Sequence, residues 1–405
     1  MKQTRTVAAA LTVAALIGLT AAPALAVTAP APAEQAQQAP HTARGTLISV
    51  TPVADLTRDQ VRAFVTQGGL VAEPVRHGIT AYRLIYRTVT PQGAPTTASG
   101  LLVLPKNTGK RLSLVSDTHG TMVHRDYAPS VAEDFGKLSP YFYASTGRAV
   151  AAPDYLGLGK GPGSHPYMDT KSAVTATVDM IAASRQAAGR LGKQLARGVY
   201  ATGFSQGGQV AMAVGRELSK TGDLKALAPV AGPYDLSGTE IPALYDGRVN
   251  PMSGLFYTSY FLTAQNKIHH LYQDPAEVFR QPYAQVVDGL FDSQHTEEDV
   301  AKALPGSVKE LLTPAFYEKM RHPSGKLLQV IKGNDGTCDW KPRVPTRLYT
   351  SSGDTDVPIG NARTCAADLA ANGLKAPVLD QGEVDHFGAF KKSAPQIARW
   401  FNTLD

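Results

Sequence analysis

Cysteine is nearly absent from this chain: only Cys338 and Cys365 occur among 405 residues. No His or Cys stands at ligand spacing from either, so no metal site is expected. Basic runs are also missing. The net charge of +6 comes from 40 Lys and Arg against 34 Asp and Glu, spread along the chain. That excludes the basic arms with which proteins grip nucleic-acid phosphates, so no nucleic-acid partner is expected. After residue 26 no segment is long and apolar enough to span a bilayer. There is no internal repeat and no Arg–Arg pair ahead of the first apolar run.

That first run is informative. Lys2 and Arg5 lead into "VAAALTVAALIGLTAAPALA", which ends in the small-x-small triplet Ala24-Leu25-Ala26. Residues 1–26 read as a removable export signal of the general secretory kind, the alternative being a retained anchor. Residues 27–44, rich in Ala, Pro and Gln at their start, read as a disordered lead-in. The expected product is secreted and extracellular, with no stable membrane insertion after the signal is removed. An oxidising compartment makes a Cys338–Cys365 disulfide the default. Closing a loop of about 27 residues, it is worth roughly 3 kcal/mol on the chain-entropy model. Two buried free thiols are the alternative.

The composition, 43% hydrophobic and 18% charged, is that of a globular protein. "AYRLIYRTV" and "TASGLLVLP", separated by a Pro/Gly turn, predict an antiparallel hairpin. Strand-like apolar runs then alternate with helical stretches: "RLSLVSDTHG", "RAVAAPDYLGLG", a helix from about Thr170 to Leu191, "GVYATGFS", a helix from Gln206, and "ALAPVAGPYD". This predicts an α/β fold, a mostly parallel sheet with helices on both faces. From Leu236 the texture becomes short helices with Pro breaks, and near Cys338 the alternation resumes. The expected organisation is a core of residues 45–235 and 339–405, interrupted by a helical cap insertion of residues 236–338. The closing helix is expected from Ala389 to Asn402, with His386 on the loop before it.

Residues 203–208 read "GFSQGG", a lone Ser205 among three glycines at a strand-to-helix junction. Glycine is costly in backbone entropy, so the corner must need it. A nucleophilic serine must stand clear of its surroundings, and a tight, strained turn holds it so. The G-x-S-x-G pattern alone is weak, and its place between strand and helix gives it weight. A serine needs a base, and the base an orienting carboxylate, in the order Ser, acid, His for this kind of corner. His386 in "VDHFGAF" follows the last predicted strand. "SGDTDVP" supplies Asp354 and Asp356; Asp354, next to Gly353, is the expected acid, and Asp356 is expected to cap the following helix. Thr121, in "HGT" after an early strand, and Gln206 are expected to present backbone N–H groups to a developing oxyanion, with Gly120 allowing the turn. His119 is expected to be structural, as is Asp154.

These four motifs, in this order, resemble the α/β-hydrolase superfamily. The likeness covers nearly all of the chain after about residue 45, and "PDYLGLG" with "HPY" is similar to the secretory-lipase-like branch of bacteria and fungi. The resemblance implies a secreted serine ester hydrolase with a helical cap, needing no metal or organic cofactor and acting on a small-molecule or lipid ester. The expected substrate contacts are Gly120, Tyr155, Phe256, Tyr257 and Tyr260. Phe261 continues that aromatic run, and the cap's own core is the competing role for these rings. The insertion mixes "GLFYTSYFL" with many polar residues, which favours small or medium acyl groups over oil droplets. Two other readings stay open. One is an aminopeptidase on the same fold, with Asp292, Glu297, Glu298 and Asp299 reading a free amine; a helix-start charge group is the plainer account of these four. The other is a non-catalytic binding module. Oligomeric state is not legible.

Overall fold

The computed structural model describes residues 43–404. The export signal and all but the last two residues of the lead-in therefore lie outside the described residues. Arg44 already joins the folded body, pairing with Asp179 at 3.1 Å.

Nine strands form one sheet in the order β1-β2-β3-β5-β4-β6-β7-β8-β9. β1 (Leu47–Leu56), β2 (Ile79–Val89) and β3 (Pro95–Pro105) are antiparallel neighbours, and β3 also runs antiparallel to β5. β4 (Arg111–Thr118), β5 (Ala149–Pro153), β6 (Gln194–Phe204), β7 (Leu224–Val230), β8 (Leu348–Thr350) and β9 (Val378–Asp380) are parallel. The hairpin register pairs Ile79 with Pro105, and Gly93 at φ 86° turns the chain between its arms. β1 escapes a sequence reading because it is an irregular edge strand: it carries Pro52 and two register shifts, which break the alternation.

The helices are α1 (Arg58–Gln67), α2 (Phe135–Ser145), α3 (Thr170–Arg190), α4 (Gln206–Lys220), α5 (Ile241–Asp246), α6 (Pro251–His269), α7 (Val287–Leu290), α8 (Glu297–Ala303), α9 (Val308–Leu311), α10 (Pro314–Arg321), α11 (Gly325–Asp335), α12 (Gly360–Ala371) and α13 (His386–Asn402). α2 hides in the sequence because it is buried almost all round and carries Pro140, so no amphipathic stripe betrays it. Two apolar clusters cover the two faces of the sheet. One holds Leu102, Met180 and Val210; the other holds Leu101, Phe142 and Phe401.

Between β7 and β8 the chain leaves the sheet for the helices α5 to α11, which bury their own cluster around Leu262, Phe279, Phe291 and Leu311. α6 is longer than the short helices expected there: Asn250 caps it, Pro251 starts it, and it runs for 19 residues. The two ends of this segment are tied together. Asp335 accepts hydrogen bonds from the Leu236 N–H at 2.7 Å and the Ser237 hydroxyl at 2.5 Å.

Cys338 and Cys365 are disulfide-bonded and fully buried, joining the return of that segment to α12. With the two cysteines 27 positions apart, the crosslink should contribute about 3–4 kcal/mol. Reduction, or Cys338→Ala with Cys365→Ala, is expected to lower the melting temperature by several degrees. An unchanged melting curve after complete reduction would remove the disulfide from the account of stability.

Candidate active site

β4 and β6 lie side by side at the centre of the sheet, with Thr118 opposite Gly203. Their carboxyl ends deliver the HGT loop and the GFSQGG corner to one place, as expected at the strand-order reversal of an open α/β sheet. Ser205 sits at φ 58°, ψ −125°, a sparsely populated conformation that costs about 1–3 kcal/mol. The surrounding glycines are there for close approach. A Cβ on Gly207 would fall 1.9 Å from the Thr118 carbonyl oxygen, and one on Gly203 would fall 2.1 Å from the Thr118 hydroxyl. That hydroxyl lies 2.7 Å from the Gly207 carbonyl oxygen and 3.0 Å from that of Thr202, clamping strand to helix.

His386 Nδ1 donates to Asp354 Oδ2 at 2.6 Å, with both side chains buried. Asp354 Oδ1 accepts from the backbone N–H groups of Asp356 and Val357 at 2.9 Å each, so the carboxylate is held from both sides. His386 Nε2 is buried and has no partner among the described residues. Ser205 and His386 share one cavity wall, although no hydrogen bond joins Oγ to Nε2 in this structure. Such contacts often tighten only with substrate bound.

Several expectations are corrected. His386 is not on a loop but is the first residue of α13, because Asp385 caps the helix by accepting from the Gly388 N–H at 2.6 Å. Asp356 does not cap α12, whose first turn follows Ile359 without a side-chain cap. Its Oδ1 accepts instead from the Ser253 hydroxyl of α6 at 2.6 Å. Tyr155 lines neither cavity beside Ser205: it is fully buried, its ring packs against His119 and stacks with His165, and its hydroxyl donates to the His119 carbonyl. Tyr260 is interior to the insertion, stacked between Tyr167 and Phe291 and donating to the Met122 carbonyl. Phe256 packs on that same cluster, against Phe291 and Tyr260, and lies off the cavity walls. Tyr257 and Phe261 do line cavity walls.

Gly120, Thr121 and Gln206 come together around Ser205. Gly120 lies against Ser205, close enough that a Cβ there would come within 3.2 Å of the serine Cβ. The N–H groups of Thr121 and Gln206 donate to no acceptor among the described residues. Two histidines, His165 buried and His119 half-buried, brace this region. His119 contacts the carbonyls of Gly120 and Asp154, and His165 contacts the Leu156 carbonyl and the Gln206 amide nitrogen. Burial depresses them to about 4 and about 3 respectively, so both are neutral. Asp154 ties Ser99 and Ser130 beneath the HGT loop.

The fold superposes on the rice cell wall degrading esterase LipA from Xanthomonas oryzae, with 30% identity, TM-score 0.77, and coverage of 89% of this chain and 98% of that one. The chain belongs to the α/β-hydrolase superfamily. A protein from Legionella pneumophila shares the fold at TM-score 0.82 and 23% identity, covering 88% of this chain and 98% of that chain. Candida antarctica lipase A in its closed state shares it at TM-score 0.61 and 13% identity, covering 85% and 78%. No family model and no curated protein matches the chain.

Two cavities flank Ser205 in this α/β-hydrolase. The first, about 100 Å³, is mainly apolar and is walled by Tyr167, Leu236, Ile241, Phe261, Met320 and Ile331. The second, about 250 Å³, contains His386 together with Phe204, Phe387, Phe135, Asp134 and Glu297. Of the first wall the sequence signalled Phe261 and Tyr257, but not Leu236, Ile241, Met320 and Ile331, which come from distant turns of the helical segment. Of the four acids proposed to read an amine, only Glu297 reaches a cavity. Asp299 completes the capping box of α8 with Thr296, Glu298 pairs with Lys302, and Asp292 binds the Gln294 and His295 N–H groups.

Glu240 sits at the rim of the first cavity, where a five-residue π-helical turn (Leu236–Glu240) meets α5. Burial raises its carboxyl to about 8, against the Asn361 amide that hydrogen-bonds it and with help from Asp354, Asp235 and Asp356. A carboxyl raised on folding binds more protons folded than unfolded, so its stabilising contribution is full below about 4.5 and is lost as pH rises towards 8. Glu240→Gln mimics the protonated form. The variant should match the wild-type melting temperature at pH 4 and exceed it progressively up to pH 9. A difference that does not grow with pH would refute the raised carboxyl.

Proposed function

We propose that this hydrolase cleaves carboxylic esters through a Ser205–His386–Asp354 triad. The observation carrying the reading is the buried Asp354–His386 hydrogen bond on a wall shared with the strained Ser205. The esterase and lipase activities named for LipA and lipase A support it. Ser205 Oγ bonds to the ester carbonyl carbon while its proton passes to His386 Nε2. The Thr121 and Gln206 N–H groups, with the positive end of α4 behind them, stabilise the oxyanion. The carbon–oxygen bond to the alcohol breaks, and Nε2 gives its proton to the departing oxygen. Water then gives a proton to Nε2 and attacks the acyl carbon, and Ser205 leaves with that proton restored. Asp354 holds the ring and stabilises its charged form.

The base decides which cavity takes which half of the substrate. Nε2 must reach the leaving oxygen, so the alcohol lies in the cavity that His386 lines and the acyl group in the apolar one. The helical segment 236–338 acts as the cap, supplying most of the acyl wall. Export is supported by the disulfide and by the absence, among the described residues, of any helix able to cross a membrane.

Ser205→Ala and His386→Ala should each lower kcat by roughly three or more orders of magnitude without loss of folding. Asp354→Asn should cost far more than Asp356→Asn, and the opposite order would reassign the acid. Ester turnover should exceed that of aminoacyl anilides, and a large excess the other way would make the protein a peptidase. A well-folded protein that takes no phosphonate label on Ser205 would end the catalytic reading altogether.

A further inference from the structure

The cavity that Ser205 shares with His386 holds more negative charge than ester cleavage requires. Asp134 and Glu297 both line it, and neither forms an ion pair among the described residues. No Lys or Arg stands on its walls. Glu133, beside Asp134, takes Lys137, and Glu298, beside Glu297, takes Lys302. Five aromatic rings also line it: Tyr127, Phe135, Phe204, Tyr257 and Phe387. Phe135 and Phe387 are 42% and 46% exposed, meeting edge to face with centroids 5.4 Å apart. Large rings left open at the mouth of a cleft mark a binding surface. His386, only 4% exposed, brings its unpartnered Nε2 to the same wall.

Carboxylates only accept hydrogen bonds, and the faces of aromatic rings are electron-rich. Both attract cations, and together they form a cage that rewards positive charge and repels negative charge. Resting on the ester-hydrolase reading above, we propose that the preferred substrate is the ester of a cationic alcohol. An ammonium or quaternary ammonium group, a few bonds from the ester oxygen, sits among Phe135, Phe387, Asp134 and Glu297. Neutral alcohols lose the charge interactions, and anionic ones are disfavoured outright.

The test is an isostere pair offered to the purified protein: butyrylcholine, and 3,3-dimethylbutyl butyrate, in which carbon replaces nitrogen at the same shape. kcat/KM should favour the cation by about tenfold at low salt. The preference should shrink as salt rises and approach unity in the Asp134→Asn, Glu297→Gln double variant. Glu298→Gln, one residue along the helix and paired outside the cavity, should retain it. Equal or faster turnover of the neutral ester overturns the proposal and leaves the hydrolase intact. So does a preference that survives the double variant, or faster turnover of glycerol monobutyrate, which would point to polyols. Cleavage of p-nitrophenyl butyrate with neither alkyl ester accepted also overturns it. If p-nitrophenyl butyrate is not cleaved either, the ester-hydrolase reading falls first and takes the proposal with it.

Discussion

The site depends on how closely α4 can lie against the end of β4. The Thr118 carbonyl oxygen occupies the space that any side chain at residue 207 would need, and the Thr118 hydroxyl does the same at residue 203. Only with both positions bare can β6 turn directly into α4 beside β4. That turn forces Ser205 to positive φ and lifts its side chain off the sheet. The strain of about 1–3 kcal/mol is held in place by central strands whose ladders are among the best-buried parts of the molecule. The backbone bonds Ser205 N–H to Val230 and Gly208 N–H to the Ser205 carbonyl lock it further. A serine at relaxed φ would lie down among its neighbours, and the HGT loop would have nothing to face.

From that corner, constraint passes outward into the helical segment through single polar contacts. The Thr121 hydroxyl donates to Tyr167, whose ring stacks on Tyr260 of α6. The His165 N–H donates to the Ser293 hydroxyl. Asp356, two residues from the acid that touches His386, accepts from Ser253 of the same α6. The loop bearing Asp354, the HGT loop and the helical segment are therefore mechanically joined. A rearrangement of α6 reaches both sides of Ser205 at once, while the sheet beneath stays fixed by its ladders.

The α/β architecture was legible because its signals are local. Apolar runs alternate with helical periods, glycines crowd one corner, and the acid and histidine follow in chain order. The choice of Asp354 rested on its place next to Gly353, and the structure does put its carboxylate on the imidazole. Where reading failed, non-local packing decided the outcome. β1 is an edge strand broken by proline and bulges, and α2 has no polar face to give it a period. Asp356 took a partner from a helix about a hundred residues away instead of the local cap that its neighbourhood suggested. Tyr155 and Tyr260 looked like cavity rings because aromatics near a site often are. One supports the His119 loop from below, and the other fills the core of the insertion. Nothing within a dozen residues of either distinguishes those fates.

The charge distribution around Ser205 follows from the same assembly. Glu240 stands in the wall of the apolar cavity, where burial and three neighbouring carboxylates hold it largely neutral below about pH 8. Asp134 and Glu297 stand at the second cavity. Burial lifts Glu297 above its ordinary value, with the Val123 N–H and its own N–H opposing that. Acids of one sign thus surround the nucleophile on both sides but differ in what they offer. At the apolar cavity a protonated Glu240 adds polarity without charge. Beside His386, Asp134 and Glu297 have no ion-pair partner among the described residues and stand next to exposed rings, with Glu297 hydrogen-bonded by Tyr127. A site built only to exclude water and hold an alkyl ester would gain nothing from that second arrangement.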